Sequence, residues 1–220
     1  MLAVRPCLTA ALALLVAGCV SETEARRARQ ASLPPPAGVS RAGGREVRGA
    51  GPARAFPGST GAERAVDAAA SLLGQHRIPA DGREDQPGCA ALVRLAYARA
   101  GHPLPPEATD AAAIHALAEQ RGRLHGLAFA PQPGDVLFLA DAPGGPPLHA
   151  ALVARREPDG TLLVLHRTLR GVVRLKVNTA WPTRMADPVT GRRVNDALVI
   201  GRKAFPAGSL VVDSASLLDG

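Results

Sequence analysis

The sequence predicts an α+β fold in which N-terminal helices pack on an antiparallel β-sheet. Between residues 60 and 122 apolar side chains recur at helical spacing in three blocks, each closed by a glycine. From residue 135 onward the pattern changes to short runs rich in Val and Leu, separated by turn signals, which read as strands. Helices first and strands afterwards is the order of an α+β domain.

The first helix opens at Thr60. Thr60-Gly61-Ala62-Glu63 is a capping-box pattern, in which the hydroxyl and the carboxylate each accept one unpaired amide. Ala62, Ala65, Val66, Ala69, Leu72 and Leu73 follow on one face, and Gly74 closes the helix. A polar loop over 75–88 leads to a second helix that begins near Cys89. Its apolar stripe is Cys89, Leu92, Val93, Ala96 and Ala100, and Gly101 ends it. Thr109 or Asp110 caps a third helix from 111 to about 120, stopped at Gly122. Gln132-Pro133-Gly134 then turns the chain into a strand over 135–140. Strands over 150–155 and 161–165 flank the hairpin signal Glu157-Pro158-Asp159-Gly160, and 172–177 continues the sheet. Residues 197–200 and 210–212 are expected to add edge strands, and Asp187-Pro188-Val189-Thr190-Gly191 reads as a turn.

The chain has 220 residues, 46% of them apolar, which is room for one domain with a real core plus extensions. Its formal charge of +7 is carried almost entirely by arginine, since Lys176 and Lys203 are the only lysines. A basic surface favours anionic neighbours such as phospholipid headgroups or cell-wall polymers. No basic stripe interleaved with aromatics occurs, so no nucleic-acid partner is expected. Arg5 precedes an apolar run over 8–17, too short to span a bilayer and of the length of a secretory signal. The run ends in Val16-Ala17-Gly18-Cys19, which resembles a lipobox, the site of acylation and cleavage in bacterial lipoproteins. The expected organisation is a signal over 1–18, a Pro/Gly/Arg-rich disordered tether over 19–58, and a domain over 59–220 with an unassigned extension from about 178. Lipid on Cys19 would anchor the protein to membrane. Val20 in place of an aspartate favours, by resemblance to sorting rules, the periplasmic face of the outer membrane.

Cys7 leaves with the signal and Cys19 is consumed by lipid, so the mature chain keeps one thiol, Cys89. Exported proteins usually pair their cysteines, so a lone one is either an inert filler or a nucleophile. A helix N-terminus lowers a thiol pKa from about 8.5 into the range of roughly 3.5–7.5, and its open amides can also bind an oxyanion. The position of Cys89 in the first turn therefore favours the nucleophile. A thiolate hydrolase needs a base with an orienting partner. If the hairpin closes at Arg156 and Thr161, His166 falls opposite Ala151, one diagonal step from His149 and within side-chain reach. A one-residue slip would part the two histidines. His102 and His125 read as surface loop residues and His115 as structural. No cysteine pair and no close histidine pair suggests zinc, so neither metal nor cofactor is expected.

Leu72-Leu73-Gly74, and Gly88-Cys89-Ala90-Ala91-Leu92-Val93 through Tyr97 and Gly101, resemble the nucleophile region of NlpC-type cell-wall peptidases. So do Pro103-Leu104-Pro105, Pro133-Gly134-Asp135-Val136-Leu137-Phe138 and His149-Ala150-Ala151-Leu152-Val153. CHAP-type amidases belong to the same papain-like superfamily, and the resemblance covers about residues 62–170. It implies a papain-like fold with Cys89 as nucleophile, His149 as base and His166 as the polar third member. It implies peptidoglycan peptide amides as substrate, cut through a thioester without metal or cofactor. The chain departs from the pattern at Gly88, where the family has Asp, at Ala90-Ala91, where it has Ser-Gly, and at Gln75-His76-Arg77, where a tyrosine is expected. Two other functions use the same groove: a catalytically inactive envelope lipoprotein that binds wall peptide or a partner, and a thioester-based acyl or amide transferase.

Overall fold

The computed structural model describes residues 60–78 and 88–218, which belong to one compact unit. The expected signal, the tether and Cys19 lie outside the described residues. No helix among the described residues is long and apolar enough to cross a membrane.

Three helices come first: α1 (Gly61–Ala70), α2 (Ala90–Arg99) and α3 (Ala111–Gln120). The capping box at Thr60 is complete. The Glu63 amide donates to Thr60 Oγ1 at 3.2 Å, and the Thr60 amide donates to Glu63 Oε2 at 2.8 Å. α1 stops at Ala70, earlier than the apolar spacing suggests. Leu72 still turns into the core, but Leu73 forms a bridge with Val172, and the Gly74 amide donates to the Val172 carbonyl at 2.8 Å. An edge strand captures the segment that periodicity assigns to the helix. Asp110, not Thr109, caps α3 by accepting the Ala113 amide.

α2 is more enclosed than a single stripe implies. Seven of its ten residues are buried, so it is a central helix rather than an amphipathic surface one. Its alanines let it lie close against α1 and the sheet. The Tyr97 hydroxyl finds a buried acceptor in the Gly134 carbonyl at 2.8 Å. Gly134 itself has φ +93°, and a Cβ there would stand 2.7 Å from the Ala62 Cβ. Only glycine fits the turn that brings the sheet under α1.

The strands are β1 (Leu124–His125), β2 (Val136–Leu139), β3 (His149–Arg156), β4 (Leu162–Thr168), β5 (Gly171–Val177), β6 (Ala197–Ile200), β7 (Lys203–Pro206) and β8 (Val211–Ala215). Six form one sheet in the order β1-β8-β2-β3-β4-β5, every neighbouring pair antiparallel. The α+β expectation is met. Both faces of the sheet are covered. Val136, Phe138, Ala150, Leu152 and Leu165 pack with the helices, while Leu137, Leu139, Ala151, Val153 and Val164 form a second core on the other face.

Two C-terminal expectations need correction. Residues 211–215 are no edge strand: β8 lies between β1 and β2. Residues 197–200 join no part of the main sheet but pair with β7 in a separate hairpin. That hairpin caps the second core with Leu198, Ile200 and Phe205. Its base is pinned by Asn195, fully buried, whose Oδ1 accepts from the Asn178 and Gly208 amides at 2.7 and 2.9 Å. The Asn195 side-chain amide donates to the carbonyls of Trp181 and Arg184. Residues 187–191 form the expected turn, with Asp187 Oδ1 accepting from Val189 and Thr190. His125 sits on β1 rather than in a loop, and His115 ties α3 to β8 through Asp213 Oδ2 at 3.1 Å.

The β3–β4 pairing closes at Arg156 and Leu162, one residue beyond the expected Thr161. A bulge between Val153 and Arg155 then absorbs the extra residue, so Val153 pairs with Val164 and Leu152 with Leu165. Those pairs are in the register that the expected closure gives. Bulge and shifted closure cancel.

Candidate active site

Gly88 turns the chain into α2 with φ +114°, a conformation that a side chain resists. Cys89 follows as the N-terminal flanking residue of α2, with no side chain capping the helix. The first amides of such a helix lack intrahelical acceptors and carry the positive end of the helix dipole.

His149 opens β3, and its Nδ1 lies 3.8 Å from Cys89 Sγ. The amide of the next residue, Ala150, donates to the same sulfur at 3.2 Å. On its other side, His149 Nε2 stands 2.7 Å from Asp141 Oδ1. With the carboxylate ionised, Nε2 is the donor, which leaves Nδ1 directed at the thiol. Asp141 reaches this place because Leu139, the last residue of β2, pairs with His149. The chain leaving β2 therefore passes directly beside the histidine.

His166, on β4, joins the group as expected from the sheet period. Its ring meets that of His149 edge-on, with centroids 5.7 Å apart. It is only 6% exposed, and neither ring nitrogen has a hydrogen-bond partner among the described residues. The Cys89, His149 and His166 donor atoms all lie within 4.8 Å of one another. This places His166 close enough to help lower the Cys89 thiol. The acceptor for His149 Nε2 is Asp141, which the sequence pattern does not single out. Its signal was the β2–β3 pairing, which brings residues just past one strand beside the start of the next.

Burial by itself would push the Cys89 thiol up. The hydrogen bond with His149, the nearby His166 and the Ala150 amide together outweigh it and lower the pKa to about 6. The hydrogen bond to Cys89 raises His149 to about 9 against the opposing effect of burial, with Asp141 adding to the rise. Between these values the pair is a thiolate facing an imidazolium.

No family model matches the chain, and no curated protein matches it.

The site opens into a cleft of about 660 Å³ whose lining includes Gly88, Cys89, Asp141, His149 and His166. Chemically, the arrangement sets a thiol at a helix start beside an imidazole that a carboxylate orients. Cys89, His149 and His166 could also hold a soft divalent metal, a ligand set that comes from three separate elements and not from a closely spaced pair in the sequence. A metal there would take the thiolate as a ligand and leave no nucleophile.

Proposed function

We propose that the chain is a papain-like cysteine hydrolase of the NlpC type, with Cys89 as nucleophile, His149 as acid and base, and Asp141 as the group that orients His149. The observation that carries this reading is the line from Asp141 through the His149 ring to a thiol at a helix start, 2.7 Å and 3.8 Å long at its two steps. A cysteine kept only for packing has no use for an oriented imidazole.

The Cys89 thiolate attacks the substrate carbonyl carbon, forming a C–S bond while the carbonyl electron pair moves to oxygen. The first amides of α2 stabilise that oxyanion. His149 gives its Nδ1 proton to the leaving amine as the C–N bond breaks, which leaves a thioester on Cys89. Water then attacks the thioester carbonyl, surrenders a proton to His149 Nδ1, and the C–S bond breaks to return the thiolate. An amine in place of water would make the same intermediate a transferase. The resemblance implies wall-peptide amides as substrate; the site itself requires a carbonyl with a leaving group.

Trapping the intermediate tests the reading. Brief exposure of the purified protein to an activated acyl ester at neutral pH should add one acyl group, mapped to Cys89 and released by hydroxylamine. A chelator should change nothing. Acylation on another residue, or a reaction abolished by chelator, would sink the thiol mechanism, the latter in favour of a metal held by the same three side chains.

A further inference from the structure

The cleft beside Cys89 has the size of a small-molecule site, and its lining is mostly apolar. Leu148, Leu169, Leu198, Val199 and Ile200 line it together with Cys89 and His149. Among the described residues eight large apolar side chains are exposed, and three of them, Leu148 at 47%, Leu169 at 102% and Val199 at 72%, stand here. Such a concentration at the mouth of one opening marks a contact surface, where scattered single residues would not.

The wall is built into the fold. Leu198 and Ile200 rest on the second core, and Asp196 ties the base of their hairpin to β5, its amide donating to the Lys176 carbonyl at 2.9 Å and its Oδ2 accepting from the Lys176 amide at 2.8 Å. The charged residues of the lining are already engaged. Asp141 holds His149, and Arg167 donates to the carbonyls of Gly88 and His76 at 3.1 Å each. A carboxylate-rich peptide thus meets apolar side chains and committed charges, while an aliphatic group loses water where it lies against the apolar wall.

We propose that the substrate presents an aliphatic acyl chain, seated against the β6–β7 hairpin with its carbonyl at Cys89. The proposal rests on the reading of Cys89 as nucleophile, and it departs from the polar wall peptides that the resemblance implies. In the half-reaction to be measured, the thiolate forms a C–S bond with the acyl carbon of a p-nitrophenyl ester. The C–O bond breaks with its electron pair, and p-nitrophenolate leaves.

Acetyl, butyryl, hexanoyl and octanoyl esters form the test series, with acylation of Cys89 followed by nitrophenolate release and by mass. Each methylene that enters the cleft should raise the acylation rate constant by up to about fourfold, corresponding to ~0.8 kcal/mol. Val199→Glu and Leu169→Glu, both in the wall of the cleft, should flatten the series, so that the ratio of the octanoyl to the acetyl rate falls toward one whatever either does to the acetyl rate itself. A flat series in the wild type, or a rising series that neither substitution alters, would overturn the aliphatic chain and leave the nucleophile standing. Failure of every ester to acylate Cys89, acetyl included, would overturn both together.

Discussion

Replacing Cys89 by Ser or His149 by Asn is expected to lower turnover at least ~10³-fold, the scale seen when a member of a nucleophile–base pair is removed. The two act as one unit, so the double variant should be barely worse than either single one. Thermal stability should hardly change. Cys89 is only partly buried and the His149 side chain is 36% exposed, so neither substitution opens a closed cavity. His149→Asn should also raise the Cys89 pKa, because the hydrogen bond that most lowers it is lost. Loss of turnover with an unchanged melting temperature and a raised thiol pKa separates a catalytic role from a structural one. Full activity of His149→Asn on a verified substrate would refute the assignment of the base.

Asp141→Ala should lower kcat by about one to three orders of magnitude while KM moves little, since the carboxylate touches the base and not the substrate. Asp141→Asn should retain more, because its amide oxygen still accepts from His149 Nε2. The sign of the pH effect is fixed. Asp141 raises the His149 pKa, so its removal lowers that value and brings the alkaline limb of the rate profile down from about 9. His166→Asn should act differently. It removes a neighbour that lowers the Cys89 pKa, so the acidic limb moves up from about 6 and a measurable fraction of activity remains. If His166→Ala inactivates as deeply as His149→Asn while Asp141→Ala leaves kcat unchanged, His166 orients the base, as the resemblance implies.

The parts of the fold that were legible in the sequence are those set by neighbours along the chain. Thr60 and Asp110 cap their helices through bonds to amides three residues on; the local pattern states the first outright and narrows the second to Thr109 or Asp110. Cys89 at a helix start was legible for the same reason, from Gly88 before it and the helical run after it. The approach of His149 to His166 followed from strand period, although only because a bulge at Val153–Arg155 offset a hairpin closing one residue late. Asp141 was missed because the connection over 141–148, with Pro143, Gly144, Gly145, Pro146 and Pro147, hides the β2–β3 pairing that brings it to His149. The place of β8 between β1 and β2 was missed because it pairs residues far apart in sequence, and period alone does not choose a partner. The apolar wall of β6–β7 came with it. Alternating burial on a short hairpin does not state which cleft its tip adjoins.

The most direct test of the central claim is the pH dependence of Cys89 alkylation by a neutral reagent such as iodoacetamide. Only the thiolate reacts, so the rate reports its fraction. The account predicts a rate that rises through half its plateau near pH 6 in the wild type, and at a clearly higher pH in His149→Asn. A wild-type midpoint at the ordinary thiol value near 8.5, unmoved by His149→Asn, would show that the two side chains are not an ion pair and would contradict the proposed mechanism.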